Sequence, residues 1–410
     1  MTENLQDDQT AYRSPLLGRH GAVEAAGADA GTADHYGQPV REQRELAAGR
    51  ALVDLSQRSV VTVSGPDRLS WLTTLSSQLL TNMAPGESAE ALLLDISGRI
   101  EHDVAVVDDG ETAWLLTEAD HGRALFAWLD SMRFALRVEV QDRSADLAVL
   151  GSVAELPAAV VRSPDDHQVV WTDPWPEPAA GGQSYAAVPE EDHPGAEWEW
   201  RLTVVPREQL EDAVEAALES GWTLAGAGAY EALRLAAWRP RLASEVDEKS
   251  IPHELDLIRT AVHLSKGCYR GQETVARVHN LGHPPRRLVF LQLDGSEHTL
   301  PRAGSDVLAP AQDVRELART DPAGALAGER SVGRVTSVAR HYEMGPIALA
   351  VVKRRVDAGA VLVVRDDSAA GDEERAPAAY YAAAQEPIVR PDAGQAVGRP
   401  KGDFVRPPRR

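Results

Sequence analysis

The spacing of apolar positions divides the first two thirds of the chain into a mixed series of helices and strands. Apolar residues recur at helical spacing over 69–79 and 120–132, which predicts two amphipathic helices. Short aliphatic runs at 60–63, 91–94 and 112–117 are bounded by Gly, Asp or Ser and predict strands. Such an irregular mixture of helices and strands is typical of an α+β fold.

A predicted β-hairpin contains the first candidate residue. The strand at 91–94 is followed by a turn at 97–99, and a second strand then begins near Asp103. A carboxylate beside a turn is commonly an ordinary surface group, but it is also a natural hydrogen-bond partner for adjacent ring N–H groups. Asp103 is therefore a candidate ligand-binding residue, with the surface role left open.

The last third of the chain changes to short strands separated by turns that contain Gly. These strands are predicted at 288–291, 332–335, 347–352 and 361–364. Several short strands at regular spacing are typical of a small barrel or sandwich. We therefore expect a separate β domain over 284–365.

Both ends of the chain lack a usable apolar period. Residues 1–34 are mostly small or polar, which predicts a flexible arm, and 366–410 are rich in Ala, Pro, Asp and Arg, which predicts a disordered tail. The region between the arm and the β domain, 35–283, is expected to form two interleaved α+β lobes.

Charge and cysteine content restrict the possible partners. The formal net charge is -21, and an acidic surface does not attract a phosphate backbone, so direct nucleic-acid binding is not expected. The single cysteine cannot form an intramolecular disulfide. No apolar run approaches the roughly 20 residues that span a bilayer. We expect a cytoplasmic protein that makes no membrane contact.

The segment 266–273, KGCYRGQE, contains that cysteine. The neighbouring cations Lys266 and Arg270 favour the thiolate form of Cys268, which is the form that acts as a nucleophile or a metal ligand. Cys268 is accordingly the candidate catalytic or cluster-binding thiolate, and a small buried hydrophobe is the alternative. Lys266 and Arg270 are either binding groups for an anionic ligand tail or solvated surface charges.

A permanent metal site is not expected. Four histidines crowd the same region without the spacing of a zinc site: His253, His263, His279 and His283. An iron–sulfur cluster normally takes about four thiolates, and the chain has one. Any cluster ligated by Cys268 would therefore be shared with a partner and transient.

Two longer motifs carry a family resemblance. LRLAAWRPRL at 233–242 and KGCYRGQETVARVHNLG at 266–282 resemble the YgfZ branch of the folate-binding family that also includes the glycine-cleavage T-protein, an aminomethyltransferase. Looser matches occur at Gly65-Pro66-Asp67 and at Ile251-Pro252-His253-Glu254-Leu255. The resemblance spans roughly 35–364.

The resemblance implies a three-lobed, T-protein-like α+β fold with a tetrahydrofolate pocket in the central region and a C-terminal β-barrel. It places Asp103 and Arg234 in that pocket, with Glu199 or Glu197 as a second pocket acid. Proteins of this branch act in assembly or repair of iron–sulfur proteins, with an effect on tRNA thiomethylation. The implied partners are a reduced folate and iron–sulfur client proteins or cluster carriers.

One departure separates this chain from a T-protein. The T-protein pattern has a pair of aspartates in the hairpin, whereas Glu101-His102-Asp103 keeps an acid only at the second position of that pair. We therefore rank iron–sulfur maturation first. A folate-dependent aminomethyltransferase or other one-carbon transferase is the alternative, and a non-catalytic folate-binding scaffold is the second alternative.

Overall fold

Two open five-stranded sheets and a closed six-stranded barrel form the β framework of the described part of the chain. The computed structural model describes residues 12–158, 169–296, 298–318, 321–367 and 378–395. Its strands are β1 (Val23–Glu24), β2 (Ala33–His35), β3 (Ala51–Asp54), β4 (Ser59–Ser64), β5 (Ser88–Leu94), β6 (Ile100–Asp108), β7 (Thr112–Thr117), β8 (Glu139–Asp142), β9 (Leu147–Ser152), β10 (Val170–Thr172), β11 (Arg201–Pro206), β12 (Thr223–Ala225), β13 (Arg286–Leu293), β14 (Asp306–Leu308), β15 (Gly333–His341), β16 (Gly345–Lys353), β17 (Leu362–Asp366) and β18 (Ala379–Pro387).

The helices cover the outer faces of the sheets and connect them to the barrel. They are α1 (Pro39–Ala47), α2 (Arg68–Leu75), α3 (Gly122–Met132), α4 (Leu210–Glu219), α5 (Ala227–Ala236), α6 (Leu242–Glu245), α7 (Gln272–Leu281), α8 (Gln312–Ala318) and α9 (Pro322–Leu326). In the described ranges no helix is long and apolar enough to cross a membrane.

The two open sheets face each other across a shared core. The first has the order β5-β6-β7-β4-β8 and the second β10-β11-β9-β3-β12, in which β3 and β12 run parallel. Val60, Trp114 and Leu116 of the first sheet pack with Val149 and other apolar residues of the second. Helices α2 and α3 cover the opposite face of the first sheet. Large-to-small substitutions in such layers typically cost about 2–5 kcal/mol.

The C-terminal barrel extends beyond the predicted boundary at 365. Strand β18 closes it by pairing with β13 and β17, and Tyr381 and Ala383 point into its core. The prediction of a disordered tail over 366–410 is therefore wrong for residues 378–395, while 368–377 and 396–410 lie outside the described residues. The strand was missed because alanines replace most of the branched residues that normally mark a strand.

The N-terminal segment also differs from the predicted flexible arm. Leu16 is buried against α4 and the second sheet, and Ser14 donates a hydrogen bond of 2.5 Å to Asp54. Asp29, in the short 3₁₀ helix Gly27–Asp29, accepts a hydrogen bond of 2.6 Å from Gln57. Residues 1–11 lie outside the described residues. Individual polar contacts order residues 12–34, and a search for apolar periodicity does not detect such contacts.

A buried carboxyl group connects the central region to α7. Asp256 has a left-handed backbone, with φ 57°, and its side chain accepts a hydrogen bond of 2.5 Å from the Tyr185 amide. The Tyr185 hydroxyl is 2.8 Å from Nδ1 of His279 on α7. The second carboxyl oxygen of Asp256 has no hydrogen-bond partner in the described structure. Burial raises the pKa of Asp256 to about 7.

This carboxyl group makes stability depend on pH. Between about pH 4 and pH 7 the native state binds a proton that the unfolded chain does not bind, so the free energy of unfolding falls as pH rises. Asp256→Asn removes this titration, and Asn tolerates the left-handed backbone. We expect the variant to be more stable than the wild type at pH 8, by about 4 kcal/mol at most, and the difference to shrink at pH 4. Urea unfolding at the two pH values measures this.

Asp247→Asn is the matched control, because Arg286 holds the pKa of Asp247 well below its usual range. Asp247→Asn removes the ion pair with Arg286 and should lower the free energy of unfolding at pH 8. An Asp256→Asn variant whose stability follows the wild type at both pH values would contradict the assigned titration.

Candidate functional site

A narrow cleft between the two open sheets contains a row of charged side chains. Glu90 of β5 and Asp103 of β6 lie on the cleft face of the first sheet. Glu118 and Arg58 continue the row at the paired ends of β7 and β4. Neighbouring strands are about 4.7–4.9 Å apart, so these four groups face the cleft side by side.

Aromatic residues form the opposite wall. Trp171 of β10, Trp200 next to β11 and Tyr230 of α5 line the cleft, and the segment 239–242 closes one end. The Trp200 and Tyr230 rings pack with their centroids 4.7 Å apart. The walls leave about 60 Å³ of free volume, which is room for a few water molecules.

Asp103 is the central carboxyl group of this cleft. Its side chain makes no hydrogen bond to the described residues, and the group is half-buried. Burial and the nearby Glu90 carboxylate raise the pKa of Asp103 well above its usual range, although Arg239 acts in the opposite direction. A ligand that hydrogen-bonds to this carboxyl group would relieve the cost of leaving it buried without a partner.

Arg239 presents an unused donor to the same cleft. Its Nε donates to Asp173 at 2.9 Å and its Nη2 donates to Glu90 at 2.7 Å. Its Nη1 is buried and has no acceptor within the described ranges. Fixed by two carboxylates, the Arg239 guanidinium keeps one direction open for a ligand acceptor.

The predicted pocket arginine, Arg234, lies elsewhere. It is 0% exposed and outside the cleft lining. All five of its N–H groups have protein acceptors, namely both oxygens of Glu231, Glu245, the Arg239 carbonyl and Ser337 of the barrel. The prediction that Arg234 pairs with a ligand carboxylate is therefore contradicted, because no donor remains.

The predicted second pocket acid is also misplaced. Glu197 and Glu199 are exposed, and Glu199 lies 3.6 Å from Arg201. The alternation in Glu197-Trp198-Glu199-Trp200 buries the tryptophans and points the glutamates outward. This pattern was the signal in the sequence that could have corrected the assignment.

The acids that do line the cleft were missed by the sequence analysis. They are Glu90, Glu118 and Asp173, and with Asp103 they outnumber the arginines of the lining, Arg58, Arg239 and Arg241. Glu90 lies in a strand and Asp173 in a loop, and neither has a recognisable motif.

The Lys266 side chain joins the cysteine loop, residues 266–273, to the end of α2. Its ammonium group donates to the carbonyls of Thr73, Ser76 and Gln78 at the end of α2, with distances of 2.5 Å to Ser76 and 3.1 Å to Gln78. Burial lowers the pKa of Lys266 to about 8. The predicted role of Lys266 in binding an anionic ligand tail is not supported, because its donors are already used.

Cys268 is exposed at the tip of this loop. The loop packs on the β5–β6 turn, where a Cβ on Gly271 would lie 2.6 Å from the Asp95 carbonyl oxygen. Arg270 pairs with Glu101 at 2.9 Å, and both side chains are partly exposed. Described residues 266–273 are absent from the cleft lining, so Cys268 does not lie at the pocket edge as predicted.

Two of the four histidines of this region, His253 and His279, pack on the same Tyr185 ring. His253 Nε2 donates to the Val275 carbonyl at 3.1 Å, and burial lowers the pKa of His253 to about 3. His279 contacts Tyr185, and His283 contacts the Ala393 carbonyl. Among the residues that the structure describes, no group of three His, Cys, Asp or Glu side chains could hold a metal ion.

Comparison with known proteins shows which domain family and which fold this chain resembles. Residues 19–160 match the family model described as the GCVT N-terminal domain. The aminomethyltransferase T of the glycine cleavage system from Bartonella henselae aligns over 90% of this chain and 94% of its own, with a TM-score of 0.64 and 18% identity. The chain has a T-protein-like fold. The predicted α+β class with a C-terminal barrel is thereby confirmed.

Sequence relatives point in the same direction. Aminomethyltransferases from Herpetosiphon aurantiacus and Moorella thermoacetica are 27% and 28% identical, over 72% and 74% of this chain and 82% and 83% of theirs. The tRNA-modifying protein YgfZ of Sodalis glossinidius is 24% identical over 78% of this chain and 89% of its own. Together with the domain match, these relatives support a relationship to the T-protein-like family.

Within this T-protein-like fold, Arg234 is expected to act in stability. Arg234→Met removes the buried cation that pairs with both Glu231 and Glu245, and breaking such a buried pair typically costs about 3–5 kcal/mol. Arg277→Met is the matched control, since the Arg277–Glu273 pair on α7 is exposed and should change stability by no more than about 0.5 kcal/mol. Thermal unfolding compares the two. Equal melting temperatures would show that the Arg234 cluster is not structural.

Proposed function

We propose that this protein binds a reduced folate in the cleft and uses Cys268 in the maturation or repair of iron–sulfur proteins. The observation that carries the folate half is the set of unpartnered groups in one narrow cleft. Asp103 has a carboxyl group without a partner, and Arg239 Nη1 and Trp200 Nε1 are buried donors without acceptors.

These groups fit the pteridine ring of a folate. The ring has adjacent N–H donors and an oxo acceptor, which match a carboxyl group and unpartnered donors respectively. Trp200 and Tyr230 supply flat apolar surface for the ring. When bound, the folate would supply a carrier for one-carbon units, and this chain's own residues would orient it and exclude water.

The position of Cys268 favours a partner protein over the folate as the target of the thiol. The cysteine is exposed on a loop that lies outside the cleft lining. A single thiolate cannot complete a cluster site, so the remaining ligands would come from a client protein or a cluster carrier. The relative named tRNA-modifying protein YgfZ and the KGCYRGQE segment support this assignment.

A one-carbon transferase is the second candidate. Most relatives found are named aminomethyltransferase, and the Asp103 carboxyl group in the cleft is available for proton transfer. Release of ammonia from an aminomethylated substrate, with transfer of its one-carbon unit to added tetrahydrofolate to form methylenetetrahydrofolate and free the carrier group, would favour this candidate. A plain folate-binding scaffold would show binding alone.

The folate half is tested by calorimetric titration with tetrahydrofolate. Asp103→Asn keeps the shape of the side chain but replaces one of its two acceptor oxygens by an amide donor, so we expect affinity to fall by about tenfold or more. Glu199→Gln, a similar change outside the cleft, should bind like the wild type. A wild-type protein that binds no reduced folate would refute the proposal.

The thiol half is tested in a strain that lacks the gene. Cys268→Ala should bind tetrahydrofolate like the wild type, because the cysteine lies outside the cleft, yet fail to restore the activity of iron–sulfur enzymes. Cys268→Ser controls for the loss of the polar atom. Full restoration by Cys268→Ala would exclude the thiol from the function.

A further inference from the structure

Two arginines at one end of the cleft differ in how their donors are used. Arg241 has all five N–H groups bonded to carboxylates: Nε and Nη2 to Glu118 at 2.7 Å each, Nη1 and Nη2 to Asp29 at 2.7 and 2.8 Å, and Nη1 to Glu231 at 2.8 Å. It has no donor left for a ligand. Arg241 therefore connects Glu118 to the N-terminal segment through Asp29.

Arg58, beside it, is left with weak partners. Because Arg241 holds both oxygens of Glu118, the nearest Glu118 oxygen is 3.8 Å from Arg58 Nη2, and the Tyr230 hydroxyl is 3.3 Å from the same atom. Arg58 Nε is buried without an acceptor in the described structure. The residue is only 8% exposed and lines the cleft, so a molecule inside the cleft is the partner that could satisfy this donor.

Trp200, on the facing wall, also has a buried donor without an acceptor in the described structure. Its ring is 1% exposed, and its Nε1 has no acceptor among the described residues. The neighbouring Trp198 shows the ordinary arrangement, since its Nε1 donates to Asp173 at 2.9 Å. A buried donor without a partner is costly, and two of them on one cleft favour a ligand with an acceptor atom there.

The local charge decides which kind of acceptor fits. Arg58 and Arg241 carry two positive charges and face the carboxylates of Glu118, Asp29 and Glu231, the last of which also pairs with Arg234. The cations held there lower the pKa of Glu118 to about 2, so it stays ionised. A ligand carboxylate would add an unbalanced buried charge. A neutral carbonyl oxygen satisfies the donors at no such cost.

We propose that Arg58 and Trp200 recognise the ring carbonyl of the ligand and thereby select an oxo-substituted heterocycle over its amino analogue. This inference rests on the proposed binding of a reduced folate. An amino group at that position would place donors against the donors of Arg58 and Trp200, leaving both unpaired. The cleft would therefore discriminate at one functional group of the ring.

The test compares tetrahydrofolate with tetrahydroaminopterin, in which an amino group replaces the ring oxo group. By calorimetry the wild type should bind tetrahydrofolate about tenfold to a hundredfold more tightly. Arg58→Met should weaken tetrahydrofolate binding by about tenfold and leave tetrahydroaminopterin binding unchanged, so that the preference shrinks. Trp200→Phe should act in the same direction.

Controls keep the outcomes distinct. Arg201→Met removes an arginine next to Trp200 but outside the cleft lining and should retain the full preference. If Arg58→Met does not fold, Arg58→Lys keeps the charge without the Nε donor and should still reduce the preference. A preference unchanged in these Arg58 variants, or an equal loss for both compounds, overturns this inference alone. Binding of neither compound to the wild type overturns the folate proposal as well.

Discussion

The buried arginine network is the interaction on which the remaining structure depends. Arg241 joins the N-terminal segment, the end of β7 and helix α5 through Asp29, Glu118 and Glu231. Arg234 joins the same helix to the barrel through Ser337 and to α6 through Glu245. Removing one member leaves an uncompensated charge in the interior, so the lobes are held together by a set of groups that act jointly.

The same network determines which N–H donors in the cleft remain available to a ligand. All N–H groups of Arg234 and Arg241 have protein acceptors, most of them carboxylates, while Arg239 and Arg58 each keep a nitrogen without an acceptor in the described structure. The groups available to bind a ligand are therefore those that the structural ion pairs leave without a partner. Asp103 follows the same logic among the acids, because its neighbours Glu90 and Glu118 are engaged by arginines and it is not hydrogen-bonded.

The cleft and the exposed Cys268 lie in separate parts of the molecule. The cleft is narrow, aromatic and charged, which suits a flat heterocycle. The cysteine loop is exposed and rests on the rigid β5–β6 turn, whose Asp95 carboxylate accepts from the amides of Ser97 and Arg99. Strand β6 runs from that turn to Asp103 in the cleft.

The sequence by itself determined the local elements, the α+β class, the hairpin that carries Asp103 and the polar loop that exposes Cys268, because apolar spacing and glycine turns are local properties. Only the tertiary structure decided which arginine of the LRLAAWRPRL segment faces the cleft. Arg234, Arg239 and Arg241 lie within eight residues, and their roles depend on carboxylates that come from distant strands and from the N-terminal segment. Pairing over such sequence distances leaves no periodic trace in the chain.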